Sequence, residues 1–345
     1  MIKQLTSSER QGAAVLLGLL AAIGVLMAAL GRTGPFGIHG LIVILFALAL
    51  LFPVLSTFYE PEPDPERLTY YYDDPIKAGI VPIPANTMLS PADYAYMLND
   101  SRAAVLVLAE ALLPQFLPIL GQAPFLKYVL ISGTTAPPAG TYDLAEILAA
   151  STDSFEPAAT SRDEPCFWLY SSGSTGTPKG AVHVHSSLIE TAALYAQATL
   201  GLRDSDVMLS AAKLFFAYGL GNSLTFPLAV GGTAVLMAER TTPASIIARL
   251  RRHRPTVFSG VPTLYASLLA SEQLPRTDEL ALRVCNPAGE ALPEDIARRW
   301  RERTGVDIID GIGSTEMLHI FISNRPGRVR YGTLGQPVAG FEARI

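Results

Sequence analysis

The apolar residues of this 345-residue chain follow two different patterns, one before residue 56 and one after residue 75. Residues 12–30 carry no charge, and residues 36–55 are interrupted only by His39 and a few glycines and prolines. Either run is long enough to cross a bilayer, which takes about 20 apolar residues. Gly31-Arg32-Thr33-Gly34-Pro35 supplies a turn between them. The first pattern therefore predicts a transmembrane helical hairpin with spans at 12–30 and 36–55. Lys3 and Arg10 precede it, so the positive-inside tendency keeps the N-terminus and the returning chain on the cytoplasmic side. A cleavable signal peptide is the rival for the first span, but no small-x-small site precedes Gly31 and a second span follows. His39, near the end of a span, is read as reaching the interface rather than holding a haem or metal.

Residues 61–75 are an acidic, Pro-rich linker built on Pro61-Glu62-Pro63-Asp64-Pro65, a stiff spacer and a natural boundary. From residue 76 onward, short apolar runs alternate with stretches of helical period. The pattern predicts a helix over 91–99 capped by Ser90, a strand over 103–108, a helix over 111–120, a strand over 128–132, a helix over 144–150 and a buried strand over 166–169. It then predicts helices over 187–199, from 220, over 243–253, 262–269 and 293–303. Strands over 207–212, 233–238, 256–258, 282–285 and 306–309 alternate with them. Strands and helices at this spacing imply an α/β fold with mostly parallel sheets flanked by helices.

A net charge of −5 offers no basic face for nucleic acid. The two cysteines, Cys166 and Cys285, both sit in apolar runs and read as core residues in a reducing compartment, with no disulfide or metal site implied. The positive mean hydropathy is a local effect of the first 55 residues.

The candidate chemistry centres on Tyr170-Ser171-Ser172-Gly173-Ser174-Thr175-Gly176-Thr177-Pro178-Lys179-Gly180. Its glycines let backbone N–H groups approach an anion, its hydroxyls add donors and Lys179 adds charge. A flexible linker would not need a strand before it or an ordered Pro-Lys-Gly ending. The spacing is not that of a P-loop NTPase. It closely resembles the phosphate loop of the adenylate-forming (acyl-CoA synthetase) superfamily. On that resemblance Ser171, Ser172, Gly173, Ser174, Thr175, Gly176, Thr177 and Lys179 would hold the β and γ phosphates of ATP.

Further segments fit the same family. Lys77-Ala78-Gly79-Ile80-Val81-Pro82-Ile83-Pro84-Ala85-Asn86-Thr87 is similar to one of its early motifs. Asp310-Gly311-Ile312-Gly313-Ser314-Thr315-Glu316 matches its second signature. The resemblance implies that Asp310, Gly311, Gly313, Ser314 and Thr315 line the nucleotide, with Thr315 on the α-phosphate and Glu316 on Mg2+, a hard ion that takes oxygen ligands. Ala288-Gly289-Glu290 resembles the adenine-contacting turn, with Gly289 and Glu290 at the nucleotide. The family usually has Ser or Thr, then Ser, before that turn, whereas this chain has Asn286-Pro287.

The stretch from Ala211 to Asn222, with Phe215-Phe216-Ala217-Tyr218-Gly219-Leu220-Gly221 at its centre, resembles the acyl-pocket wall of benzoate-CoA ligases and their aryl-CoA relatives. Ala217, Tyr218, Gly219, Ile312 and His319 would then flank a flat ring, while at least one of Phe215 and Phe216 reads as core. A slot with few polar groups suits a small-molecule aromatic carboxylate better than an amino acid. The implied activity is acid–thiol ligation with ATP, Mg2+ and CoA. His183 and His185 alternate as on a strand, which points them to opposite faces, so they are poor candidates for a metal pair. The basic run Arg249, Arg251, Arg252, His253 and Arg254 reads as a solvated helix end favoured by the helix dipole.

Residues 1–75 resemble something different. The two spans, Phe36-Gly37-Ile38-His39-Gly40 and Tyr71-Tyr72-Asp73-Asp74-Pro75 are similar to the opening of the catalytic subunit of a haem-copper oxidase of the cbb class. The many membrane histidines that such an enzyme needs do not follow, so oxidase activity is not implied. The two resemblances meet within Asp74-Pro75-Ile76-Lys77-Ala78-Gly79, which reads as a fusion junction. The alternative to a ligase is thus a membrane protein fragment fused to a ligase remnant without activity. Gly332-Thr333-Leu334-Gly335-Gln336-Pro337 resembles the segment just before the family's ribose-binding aspartate, hinge and small C-terminal domain. The expectation is a domain over 76–345 truncated at both ends, able to bind nucleotide and impaired in thioester formation.

Overall fold

The computed structural model of the chain describes residues 42–45, 75–134, 136–151, 156–171, 176–237 and 239–344. They fall into two compact units, one reaching to Val184 and the other beginning at His185.

In the first unit, part of the second apolar run is strand rather than membrane helix. Ile42–Leu45 forms β1, paired in parallel with β2, Val81–Pro82. Four residues rich in β-branched side chains favour a strand, and a short apolar run reads alike for buried strand and helix. The rest of that span, the whole of 12–30, the linker over 61–74 and most of the oxidase-like segment lie outside the described residues. Among the described residues no helix is long and apolar enough to cross a membrane.

Helix α1, Pro91–Asp100, begins as expected, with Ser90 and Asp93 in a reciprocal capping box. Tyr94, Met97 and Leu98 form its buried stripe. β3, Ala103–Ala109, pairs in parallel with β1 on the side away from β2. The helix expected over 111–120 breaks into a single α turn, Leu113–Phe116, between two 3-10 turns, Glu110–Leu112 and Leu120–Gln122. Pro114 and Pro118 lie within it, and proline lacks the N–H a continuous helix needs. β4, Tyr128–Ser132, and β5, Tyr142–Asp143, complete a parallel sheet of order β2-β1-β3-β4-β5. Helix α2, Leu144–Ala149, follows, capped by the Asp143 side chain. Leu106, Leu108, Phe116 and Ile131 are buried between sheet and helices. β6, Pro165–Ser171, then turns back on β7, Lys179–Val184, in an antiparallel pair that the sequence pattern did not anticipate.

The second unit follows the expected alternation more closely. Helix α3, His185–Thr191, runs into a π-helical turn, Ala192–Gln197. After β8, Val207–Ser210, come helix α4, Ala217–Leu220, a second π turn, Gly221–Thr225, and α5, Phe226–Val230. β9, Thr233–Val235, helix α6, Pro243–His253, β10, Val257–Gly260, and helix α7, Pro262–Leu269, follow in order. β11, Val284–Pro287, and helix α8, Glu294–Thr304, complete the alternation. The sheet has order β11-β10-β8-β9 and is parallel throughout. The strand expected over 306–309 is reduced to one bridge, Cys285 with Ile308, on the outer side of β11. The chain then forms an antiparallel sheet of β12, Gly311–Gly313, β13, Ile320–Ser323, and β14, Gln336–Pro337. Phe258, Tyr265, Trp300 and Ile308 fill the core beneath α7 and α8.

Candidate functional site

The loop over 171–179 is held as a hairpin connection. Tyr170 sits opposite Gly180 and Ser171 opposite Lys179 in the β6–β7 register, so both ends of the loop are pinned by strand pairing. Gly180 packs closely here, since a Cβ would come within 3.0 Å of the Trp168 ring. The Tyr170 hydroxyl donates to Asp100 Oδ2 at 2.7 Å, tying the start of the loop to the end of α1. Gly176 is left-handed at φ +88°, the conformation that glycine adopts without penalty. Gly176, Thr177 and Lys179 are exposed. Ser172, Gly173, Ser174 and Thr175 lie outside the described residues. His183, one strand further on, is a buried ring stacked on Phe167, and His185 begins α3.

In the second unit the parallel strands β8, β10 and β11 deliver their following loops to one edge of the sheet, the carboxyl edge where open α/β sheets hold ligands. Gly289 lies in the loop after β11 with φ +91°, and Glu290 beside it is exposed. The other signature, residues 310–316, forms β12 and the turn that returns to β13. Glycine is required twice there. A Cβ on Gly313 would meet the His319 carbonyl oxygen at 2.6 Å, and one on Gly311 the Ile322 carbonyl oxygen at 2.5 Å. The turn is closed by Met317 N–H donating to Ser314 Oγ at 3.2 Å and Leu318 N–H donating to the Thr315 carbonyl at 3.1 Å. Thr315 is half-buried and Glu316 exposed, and no described residue forms an ion pair with Glu316. An exposed carboxylate fits Mg2+, which keeps several waters and takes one or two carboxylates besides phosphate oxygens.

Asp310 introduces this turn and is buried, with its Oδ1 accepting the Gly311 N–H at 2.9 Å. Burial pushes its carboxyl up to about 6, against the lowering effect of backbone N–H groups from Gly311 and Leu292. A raised carboxyl stabilises the fold below its unfolded value and loses that contribution as pH rises through the folded value. Asp310→Asn, which keeps the acceptor but never ionises, should therefore melt a few degrees above the wild type at pH 8. The two should converge as the pH falls below 3.8, the ordinary value of the carboxyl, in thermal melts across that range.

The aromatic stretch is partly wall and partly core. Phe215 is buried, Phe216 is 49% exposed, and their rings lie 4.6 Å apart. Ala217 and Gly219 are buried, and Ile312 is exposed. The Tyr218 hydroxyl donates to the Asn286 carbonyl at 2.6 Å. His319 is enclosed, 3% exposed, among the rings of Tyr195, Tyr218 and Phe226. Burial pushes its imidazole down to about 3, so it is neutral at physiological pH. The second unit thus carries Ala217, Tyr218 and Gly219 on α4, Ile312 on β12, and Gly289, Glu290, Thr315, Glu316 and His319 on the loops of one scaffold. The basic helix end of α6 is engaged elsewhere: Arg249 pairs with Glu239, Arg251 donates to the Gln273 carbonyl and Arg254 to the Glu279 carbonyl.

Motif reasoning did not pick out Ser259, nor that it would meet Asn222, at the end of the aromatic stretch, and Asn286, before the glycine turn, in this region. All three are buried and hydrogen-bonded to one another or to the wall. The signal was available: a polar side chain within an apolar run pays for burial only when it is bonded. Asn286 and Pro287, the pair that departs from the usual family pattern, close β11.

Known proteins carry the same architecture. Over 270 residues the chain is 61% identical to a benzoate–CoA ligase of Thauera aromatica, covering 78% of this chain and 50% of the relative. It is 46% identical over 272 residues to a 4-hydroxybenzoate–CoA/benzoate–CoA ligase of Rhodopseudomonas palustris, covering 78% of this chain and 50% of that protein. Crystal structures of a benzoate CoA ligase from Burkholderia xenovorans LB400 superpose with a TM-score of 0.76 at 42% identity, over 96% of this chain and 61% of that one. The chain spans about half the length of the curated relatives it matches. The model of the family described as AMP-binding enzyme matches residues 76–345, the stretch that carries both signature loops, and the chain belongs to that family.

Proposed function

We propose that residues 76–345 act in the ATP-dependent activation of an aromatic monocarboxylic acid of the benzoate type, for transfer to CoA. The observation that carries this reading is the β12–β13 hairpin, which presents an exposed Glu316 that forms no ion pair among the described residues and, three residues later, a neutral His319 set among aromatic rings. Similarity to proteins named benzoate–CoA ligase supports the same substrate class.

A carboxylate oxygen of the acid attacks the α-phosphorus of ATP. The bond to the bridging oxygen of the β-phosphate breaks, giving an acyl adenylate and pyrophosphate. The thiolate of CoA then attacks the acyl carbon and AMP leaves. The protein's work in the first step is positioning and charge stabilisation. By resemblance to the family, Ser171 to Lys179 would hold the β and γ phosphates through backbone N–H groups, hydroxyls and the Lys179 ammonium. Gly289 and Glu290 would face the adenine, and Asp310, Gly311, Gly313 and Ser314 would line the nucleotide. Thr315 donates to the α-phosphate and Glu316 holds the metal ion. Mg2+, when bound, neutralises the charge that develops on the phosphates. Ala217, Tyr218, Gly219, Ile312 and His319 flank the ring.

Thermal denaturation of the 345-residue chain tests this. MgATP at a hundredfold excess over its dissociation constant adds about 2.7 kcal/mol to the stability of a protein that binds it. Benzoate should raise the midpoint further, and Glu316→Ala should remove the Mg2+-dependent part of the ATP shift while leaving the unliganded midpoint in place. An Mg2+-dependent shift that persists in Glu316→Ala, or no added effect of benzoate, would overturn the assignment.

A further inference from the structure

Among the described residues three that are not glycine have a positive φ: Arg102 at 51°, Arg254 at 45° and Leu318 at 64°. The two arginines are exposed and lie at the ends of α1 and α6, where a left-handed residue is a common stop. Leu318 ends no helix. It is 4% exposed and sits between Glu316 and His319, in the turn that joins β12 to β13. For an L residue this conformation brings Cβ close to the following carbonyl oxygen, so glycine and asparagine usually occupy it, and a bulky side chain there is strained.

The surrounding turn imposes that conformation. Leu318 N–H donates to the Thr315 carbonyl oxygen at 3.1 Å and Ser314 N–H to the His319 carbonyl oxygen at 3.4 Å, so residues 315–318 are closed from both ends. Met317 N–H donates to Ser314 Oγ at 3.2 Å. In an extended chain neighbouring side chains point to opposite faces. The left-handed residue breaks that alternation: Leu318, His319 and Ile320 are buried in succession, while Glu316 and Met317 before them are exposed. The change from exposed to buried falls at Leu318. Strain of this kind persists only where the structure around it over-determines it, and it clusters at functional sites.

We propose that Leu318 is a positioning residue whose buried side chain latches the turn in its left-handed conformation and so fixes Glu316, at the tip of the turn, relative to His319 among the rings. Glycine would adopt the same φ without strain, but many others as well. The backbone alone would therefore not hold the tip. A side chain buried away from the exposed carboxylate thereby sets how well that carboxylate receives Mg2+, as outer residues that orient a metal ligand do. The role of Glu316 rests on the function proposed above; the latched turn does not.

Calorimetry of the full chain with MgATP, and with ATP in the presence of EDTA, tests the positioning role, and NMR tests the latch. Leu318→Gly should weaken MgATP binding about tenfold more than it weakens binding of metal-free ATP, the lower end for loss of a residue that orients a metal ligand. Leu318→Met keeps an apolar side chain of similar volume in the turn and should show the wild-type ratio. Leu268→Ala removes a buried leucine of α7 from the core and should lower the melting midpoint without changing that ratio. A folded Leu318→Gly with the wild-type ratio overturns the positioning role, as does an equal change in Leu268→Ala. In the wild type a strong intraresidue NOE between the amide and α protons of Leu318 is expected, because a positive φ brings them close. A weak one, meaning a negative φ, overturns the inference even if no variant folds. If MgATP and metal-free ATP bind the wild type alike, the function proposed for Glu316 fails and the positioning role falls with it. If they differ and Leu318→Gly keeps the difference, the inference fails alone.

Discussion

Gly219→Ala is expected to remove at least about 3 kcal/mol of stability, the upper range for forcing a methyl group into a packed interior. A Cβ at 219 would overlap the backbone carbonyl of Lys213. That carbonyl cannot retreat easily. It accepts the Phe216 N–H at 3.1 Å, and the Lys213 ammonium is bonded to the carbonyl oxygens of Met237 at 2.7 Å and Glu239 at 2.6 Å. The loop after β8 is therefore clamped on both sides of the position the methyl group would take. For a unit of this size each kcal/mol lowers the melting midpoint by about 2–4 °C, so a fall of roughly 10 °C should be seen. In urea the midpoint should drop at constant slope, because the surface exposed on unfolding is unchanged. Gly121→Ala is the control. It has nothing within 4 Å of its would-be Cβ and should stay near wild type. A Gly219→Ala midpoint matching that control would mean that the clamp yields.

Arg283→Leu should cost about 3 kcal/mol at neutral pH, the lower end for removing one partner of a buried ion pair. Asp206 is 1% exposed and receives the Arg283 guanidinium through both Nε, at 2.7 Å, and an NH2 group. It also accepts from Thr256 Oγ1 at 2.7 Å and from the Arg203 N–H at 2.9 Å. Burial by itself would raise its carboxyl, but the hydrogen bonds from Arg283, Thr256 and Arg203 together with the Arg283 charge bring it below the ordinary 3.8. A depressed carboxyl stabilises the fold above its unfolded value and loses that contribution as pH falls through the folded one. The penalty of Arg283→Leu should accordingly be full at pH 7 and shrink as the pH drops below about 4. Asp206→Asn combined with Arg283→Leu should recover part of the loss, since no charge is then left buried. A penalty of the same size at pH 3 and pH 7 would show that the side chain acts by packing alone.

How much of this was legible in sequence differs from element to element. α6 and α7 occupy the residues expected for them because each has a proline in its first turn, and α6 is also capped by Thr242. β4 likewise matches, as a five-residue apolar run. Where the pattern misled, competing chemistry was present. Pro114 and Pro118 broke a helix, and the apolar run that reads as a membrane span contributes Ile42–Leu45 as a strand. The strand-like alternation around His183 was legible, but the pairing of β7 with β6 was hidden because it depends on a partner on the far side of the phosphate loop, which no local periodicity reports. The signature loops were legible from glycine spacing, since close backbone approach at Gly311 and Gly313 admits no Cβ.

The sequence by itself determined the alternating α/β order of the chain, the family signatures at 171–179 and 310–316, and the aromatic character of the stretch around Tyr218. Each follows from local physics: period, capping, and the conformations that only glycine allows. The buried chain from Ser259 through Asn286 and Asn222 to His319 was decided only by tertiary structure. Its members come from β10, β11, a π turn and the turn before β13, and are separated by up to 97 positions. Hydrogen-bond direction depends on which polar atoms burial brings together, and no one-dimensional pattern carries that.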